Sequence, residues 1–424
     1  MSTHSSKATQ LIAQYSREKP FDEVLQDVAR KPPGSLPPAP ELPGILQWDE
    51  AARDKRVALL EAGGAALGCL SGRERMPEAD AFRGNIENFI GMTQVPTGIA
   101  GPLYINGTMA QGDFYVPLAT TEGALVASYN RGAKATRLSG GVTSVCTTEG
   151  MQRTPVWKFE DLPQVGVFIS WMLQQQEKFR EIVSENSHHA RLEELKLNME
   201  GNHVLTIFEY TCGEAAGQNM ATICTEAICR HILAHTPVQP VCWFVESNYS
   251  GDKKATAVSF NAVRGKKVTA EALIPAQVVR DVLGSTPGQI AEYWQSSVVA
   301  AAQSNSIGIQ GHFANGLTAL FLACGQDVAC VSEAHVGITR MEVSCADLYV
   351  AITLPALVVG TVGGGTALPT QQECLRLLRC TGPGSARRFA EICGALALAG
   401  ELSIAAALSS GKFAKAHQLF RRKS

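Results

Sequence analysis

A few side chains in this sequence have the types and settings that acid–base and oxyanion chemistry needs. Glu122 stands in Thr120-Thr121-Glu122-Gly123, where a helical pattern begins and the threonines supply a cap. A carboxylate there complements a helix dipole; a buried carboxylic acid there would hold a proton near neutral pH and donate it. Asp252-Lys253-Lys254 lies in the turn-like stretch SNYSGDKKATA. It reads either as a solvated turn or as a lysine directed inward to stabilise a developing oxyanion. Asp327 follows the apolar run of LACGQD. It reads either as a helix-end surface residue or, since an unpaired carboxylate in such surroundings is costly, as a partner that holds Lys253 and Glu122 in one hydrogen-bonded cluster. His417, in KFAKAHQLF, reads as an exposed helical histidine or as a proton donor on a C-terminal flap.

Two small-residue runs could receive a cofactor. Gly363-Gly364-Gly365, after Thr361-Val362, leaves backbone that a flat ring or a phosphate can approach closely. Gly213 to Asn219 opens a helix and forms an anion or dinucleotide perch. Neither is a G-x-G-x-x-G fingerprint, and each is also compatible with a plain tight turn.

The elements that must position these groups exceed one ordinary core. A chain of 424 residues implies two or three domains. A net charge of −2 offers no basic face for nucleic acid. Twelve cysteines without C-x-x-C or Cys/His metal spacing point to reduced thiols, a cytoplasmic setting and no metal site. The N-terminus lacks the apolar region of a signal peptide. The apolar stretch 392–408 is interrupted by Gly394, Gly400 and Glu401, which predicts a buried helix or helix pair. Residues 31–43 are proline-rich, so the N-terminal arm is expected to be a separate, partly mobile piece. Helices are expected over 48–70, 121–138, 164–184, 221–234, 277–283, 289–302, 316–325 and from 385. Strands are expected within 84–121 and at 204–211, 238–245, 255–263, 266–275 and 348–362.

In order, ENFIG, PTGIAGPL, ATTEGALVASYNRG, GEAAGQNMAT, NYSGDKK, HFANGLTA, CGQD, GTVGGGT and GKFAKAH resemble the successive signatures of the 3-hydroxy-3-methylglutaryl-CoA (HMG-CoA) reductase family. The likeness runs from about residue 84 to 420 and is greatest to the form that includes the eukaryotic catalytic domain. It implies an α+β fold: a large substrate domain (45–154 and 245–424) around a long central helix, with a ferredoxin-like cofactor domain (155–244) inserted, after an arm at 1–44. It also implies a homodimer or homotetramer with active sites at subunit interfaces, and two hydride transfers from NADPH (or NADH) that turn HMG-CoA into mevalonate and free CoA. By motif, Lys253 would polarise the carbonyl, Glu122 would donate a proton, Asp327 would bridge them and His417 would protonate the departing thiolate. Ser128 and Arg131 would contact CoA, and His312 and Asn315 would line the substrate channel. Arg153, Asp252 and Lys254 would face the acyl group. Glu214, Gly217, Asn219 and the glycines at 363–365 would hold the nicotinamide cofactor.

Departures from the family pattern concern recognition. Glu246 stands where the family has a substrate-contacting serine, Gln295 where it has a carboxylate-pairing lysine, and Gly284 where it has a basic residue near CoA. The aspartate run reads GQDVACV, and Ser187-His188-His189 replaces a run that meets the 2′-phosphate of NADP. Glu246 and Gln295 disfavour a substrate carboxylate by charge. They keep open a diverged reductase of another acyl-CoA or carrier-bound thioester, and a silent homologue is a further alternative.

Overall fold

The computed structural model describes residues 19–262 and 264–414, together with Thr9, Ala13 and Tyr15. The arm is not a separate piece. Its helix α1 (Phe21–Val28) and the proline-rich segment lie strapped across the body. The Val28 carbonyl accepts from Thr143 Oγ1, Pro37 from Arg137, and Pro40 from the Tyr115 hydroxyl. Proline offers a carbonyl but no N–H, so an extended segment of this composition is satisfied by donors from side chains beneath it.

Helix α2 (Glu50–Ala62), capped by the Asp49 side chain, is shorter than the pattern predicts. The hairpin β1 (Thr97–Gly107) and β2 (Gln111–Ala119) then leads to α3 (Leu125–Leu138) and β3 (Val142–Arg153). Helix α3 starts later than expected. Its N-cap is Ala124 in a left-handed conformation, with no side-chain cap, while Thr120 Oγ1 instead accepts the Glu122 N–H.

The inserted segment contains β4 (Val156–Lys158), α4 (Leu162–Gln174), α5 (Gln176–Asn186), β5 (Arg191–Glu200), β6 (His203–Thr211), α6 (Gln218–His235) and β7 (Cys242–Phe244). Its strands lie in the order β7-β4-β6-β5, all antiparallel, which is the ferredoxin-like arrangement. The expected helix over 164–184 divides at Gln175. Strand β5 went unread because its charged residues fall on both faces, as an edge strand permits. The end of β3 pairs with β6 and ties the insert to the body.

Beyond the insert come β8 (Gly265–Ile274), α7 (Pro287–Gln303), α8 (Phe313–Ala323), β9 (Ile338–Ser344), β10 (Asp347–Leu357), α9 (Pro369–Leu377) and α10 (Ser385–Ser409). The body sheet runs β2-β1-β3-β8-β10-β9, with only β1 and β3 parallel. The strand expected at 255–263 is instead a single 3-10 turn at Ala257–Phe260, closed by Ser259 Oγ donating to the Thr256 carbonyl.

Helix α10 is the central element. It is long and apolar enough to cross a membrane by length and composition, yet 83% of its most apolar window is buried inside the fold. Glycines let its neighbours approach. A Cβ at Gly132 of α3 would lie 1.9 Å from the Ala399 carbonyl oxygen, and one at Gly400 would strike the Tyr129 ring. Its two buried glutamates are fully engaged. Glu391 accepts the N–H groups of Thr108, Met109 and Ala110, and Glu401 those of Gly311 and His312 together with Thr339 Oγ1. Burial raises both carboxyls above their ordinary range while these donors pull them back.

Candidate active site

The site residues gather in three places. The first is a cleft of about 560 Å³ between the insert and the body, within the range that holds a small-molecule ligand. The loop before α6 is zipped onto the segment after β10 by an Ala215–Val362 bridge and by Thr361 N–H to the Glu214 carbonyl at 2.8 Å. Gly217 is the left-handed N-cap of α6; a Cβ there would lie 2.5 Å from Cys212 Sγ, so glycine is required. No side chain caps this helix, which leaves its first N–H groups and dipole facing the cleft beside Gln218 and Asn219. Across from them Gly363 and Gly364 have positive φ with nothing within 4 Å of a built Cβ, and Gly365 packs on Gly325. Backbone donors facing bare glycine backbone fit a diphosphate and a flat ring.

Two residues assigned to the cofactor by resemblance lie elsewhere. The Glu214 carboxylate accepts from Gly384 N, Ser385 Oγ and Ala386 N, so it caps α10, whose own N-cap is a left-handed glycine. Ser187 closes the turn before β5, its Oγ accepting the N–H groups of His189 and Ala190. Neither lines the cleft.

Lys253 and Asp327 stand on the cleft wall, with Nζ 2.8 Å from Asp327 Oδ2. That hydrogen bond raises the Lys253 ammonium above the ordinary lysine value, against a smaller loss from desolvation. Asp327 is held in turn by the Ala329 N–H. Lys253 has a left-handed backbone (φ 54°), a conformation that costs a non-glycine residue about 1–2 kcal/mol.

The second place adjoins the lysine loop. Arg153 is buried between two carboxylates, its Nη1 lying 2.9 Å from Asp252 and 3.2 Å from Glu246. Glu246 also accepts the Asn248 N–H at 2.8 Å. Burial raises the Asp252 carboxyl, but Arg264 and Arg153 together outweigh it and hold it below its usual range. Lys254 is exposed and its Nζ donates to the Asp252 carbonyl. Gln295 is not here: it lies exposed on α7.

The third place is a cavity of about 420 Å³ lined by Glu122, Ser128, Arg131, His312 and Asn315. Asn315 Nδ2 donates to Glu122 Oε2 at 3.2 Å. Ser128 and Arg131 both bond Ser403 of α10. The His312 ring stacks on Tyr129 at 4.8 Å, and the Tyr129 hydroxyl donates to the His312 carbonyl. Burial lowers His312 to about 4, so the ring is neutral at pH 7, and its Nε2 has no hydrogen-bond partner among the described residues. Phe413 closes one side of this cavity, while His417 lies outside the described residues.

Glu122 therefore does not join Lys253 and Asp327 within one chain. Asn315 is in the first turn of α8, and Phe321 and Leu322, in its last turn, line the Lys253 cleft. Seven residues of helix at 1.5 Å each separate the two sites by about 10 Å. Sequence reasoning missed Tyr129, Arg264, Glu333 and Glu401. Glu401 alone left a signal, as a charge within an apolar helix.

The hydroxymethylglutaryl-coenzyme A reductase model matches residues 52–422. The chain is 42% identical over 380 residues to 3-hydroxy-3-methylglutaryl-coenzyme A reductase of Aeropyrum pernix, covering 88% of this chain and 90% of that protein. It is 39% identical over 383 residues to the protein of the same name from Haloferax volcanii, covering 89% and 94%. Among solved structures it is similar in fold to that reductase of Streptococcus pneumoniae, with TM-score 0.67, 20% identity and coverage of 84% and 96%. A structure of the class II enzyme from that organism bound to NADPH matches with TM-score 0.66 at 19% identity, covering 84% and 96%. With a family model spanning most of its length and relatives near 40% identity across almost all of theirs, the chain belongs to the hydroxymethylglutaryl-coenzyme A reductase family.

Proposed function

We propose that the chain reduces HMG-CoA to mevalonate and free CoA in two hydride transfers from NADPH, with each active site assembled from two copies of the chain. The Lys253–Asp327 pair on the wall of the glycine-lined cleft carries this reading, because an ammonium held beside a dinucleotide-shaped cleft is placed to neutralise a carbonyl oxygen that receives hydride. When bound, the nicotinamide would supply the hydride, and Gly217, Asn219 and Gly363 to Gly365 would hold it there. NADPH rather than NADH follows from the overall motif set. Twelve free cysteines suit a reducing cytoplasm.

The residues then divide the work. Lys253 polarises the thioester carbonyl, and one hydride and one proton give a hemithioacetal. Collapse of the hemithioacetal releases its hydroxyl proton and expels the CoA thiolate, which His417 protonates, leaving an aldehyde. Lys253 holds that carbonyl for the second hydride, and Glu122 donates the proton that completes the alcohol. Glu122 and Lys253 lie beside opposite ends of α8, so Glu122 from one subunit meets Lys253 and Asp327 of its neighbour. Ser128 and Arg131 receive CoA in the cavity beside Glu122, while Arg153, Asp252 and Lys254 face the acyl group. The test is NADPH oxidation by the purified chain with saturating HMG-CoA, beside Lys253→Ala as blank. Turnover in the range of roughly 1–10³ per second supports the reading. A folded, NADPH-binding protein without turnover overturns it.

A further inference from the structure

Lys253 is held at both ends by one segment of chain. Asp327 takes its ammonium at 2.8 Å. Six residues on, Glu333 takes its backbone N–H, with Oε1 3.2 Å from Lys253 N. Between them, Cys330 Sγ accepts from Gln218 Nε2 at 3.0 Å, which links the same segment to the first turn of α6. Asp327 is 40% exposed, but Glu333 is only 2% exposed, and its second oxygen lies 2.7 Å from Nε of Arg264, itself 3% exposed. Arg264 spreads its remaining donors over the Gln152 carbonyl at 3.0 Å and the Asp252 carboxylate.

A buried ion pair is weak evidence for stability, because desolvation offsets much of the attraction. What this one does locally is specific. The loop over 248–253 turns through three left-handed residues, Asn248, Gly251 and Lys253, and Lys253 is neither glycine nor asparagine. A backbone conformation of this kind persists where its surroundings over-determine it. Here Glu333 fixes the Lys253 amide, while Arg264 fixes both Glu333 and the preceding residue, Asp252.

We propose that Glu333, anchored by Arg264, is a positioning residue that sets the left-handed backbone of Lys253 and thereby aims its ammonium at Asp327 and the reacting carbonyl. This rests on the reading of Lys253 as the residue that polarises the carbonyl, so the test reads Lys253 directly as well as turnover. Lysines are reductively methylated with a carbon-13 label, and the Lys253 resonance is assigned by its absence in Lys253→Arg. Its titration is followed in the wild type, Glu333→Ala and Glu333→Gln, with kcat and NADPH affinity measured on unlabelled protein.

In Glu333→Ala the Lys253 titration is expected to move down toward that of a free lysine as the pairing with Asp327 loosens. The value of kcat is expected to fall on the order of 10²-fold, the usual cost of a displacement of about 1 Å. NADPH affinity should stay within about twofold, because the glycine cleft is untouched. Glu333→Gln keeps an acceptor for the amide and should restore most of both readouts; it also serves if the alanine variant does not fold. An unmoved Lys253 titration in a folded variant overturns the proposal, whether kcat is unchanged or falls together with thermal stability and NADPH affinity. Full turnover by Lys253→Ala would instead overturn the catalytic reading, and the titration would still decide what Glu333 does.

Discussion

Lys253 Nζ lies 2.8 Å from Asp327 Oδ2, with the two side chains 44% and 40% exposed. An ion pair this open contributes little to the fold, because solvent screens the attraction and two long side chains lose entropy in holding it. Its place on the cleft wall suits a chemical rather than a structural role. Lys253→Ala should therefore abolish NADPH oxidation while leaving the midpoint of thermal unfolding within a few degrees. Steady-state kinetics beside calorimetry check this. A variant that unfolds, or one that still turns over, contradicts the division.

The same pair sets a pH dependence. The hydrogen bond that Lys253 donates to Asp327 raises its ammonium above the ordinary lysine value, so the charged form survives further into the alkaline range. Asp327→Asn removes the negative partner and lets that value fall. The alkaline limb of the kcat profile should then move to lower pH, in addition to any loss in its plateau. An unshifted limb would mean that the limb belongs to another group.

What was legible in the sequence was chemistry carried by residue type in a short stretch. Lys253 beside Asp252, Asp327 after an apolar helix and the glycines at 363–365 all announced themselves, and the structure places them on or beside one cleft. Illegible were partners far apart in the chain. The Arg153–Glu246 pair spans 93 residues, and the contact of Glu333 with the Lys253 amide spans 80. The loop at 213–219 reads as one cofactor perch, but its acidic member turns away. Glu214 caps α10 because Gly384, left-handed and without a side chain, cannot. The α10 glutamates show the reverse case, where a charge looks out of place until the backbone donors of distant loops are counted.

Glu246 makes a direct prediction about recognition. Its carboxylate occupies Arg153 Nη1 at 3.2 Å and so competes with a carboxylate arriving on a substrate. Glu246→Ser frees one of the two hydrogens on Nη1, while the other stays with Asp252 at 2.9 Å. The KM for HMG-CoA should fall roughly tenfold, equivalent to about 1.4 kcal/mol, with the KM for NADPH unchanged. A KM that is unchanged or higher would show that Arg153 does not meet the substrate.

His312 predicts how stability responds to acid. Burial lowers its pKa to about 4 in the folded chain, against about 6.5 when exposed. A depressed value means that the neutral form is favoured by folding. The contribution is present in full above pH 6.5 and is lost as pH falls through 4. Over that window the linked loss is on the order of 2–3 kcal/mol. His312→Gln, which cannot titrate, should show a flatter decline of unfolding temperature between pH 6.5 and 4 than the wild type. Parallel declines would mean that His312 is not buried neutral in solution.

The placement of Glu122 and Lys253 beside opposite ends of α8 gives the sharpest test of assembly. Glu122→Ala and Lys253→Ala should each be inactive alone. Were both residues drawn from one chain, mixing the two variants would restore nothing, since every site would keep one defect. If each site takes Glu122 from one subunit and Lys253 from the next, a mixed dimer has one site with both defects and one with neither. Dissociating and reassociating equal amounts should then return about a quarter of wild-type activity, the statistical expectation for a two-fold dimer. Recovery should follow the time course of subunit exchange, and covalent cross-linking before mixing should prevent it.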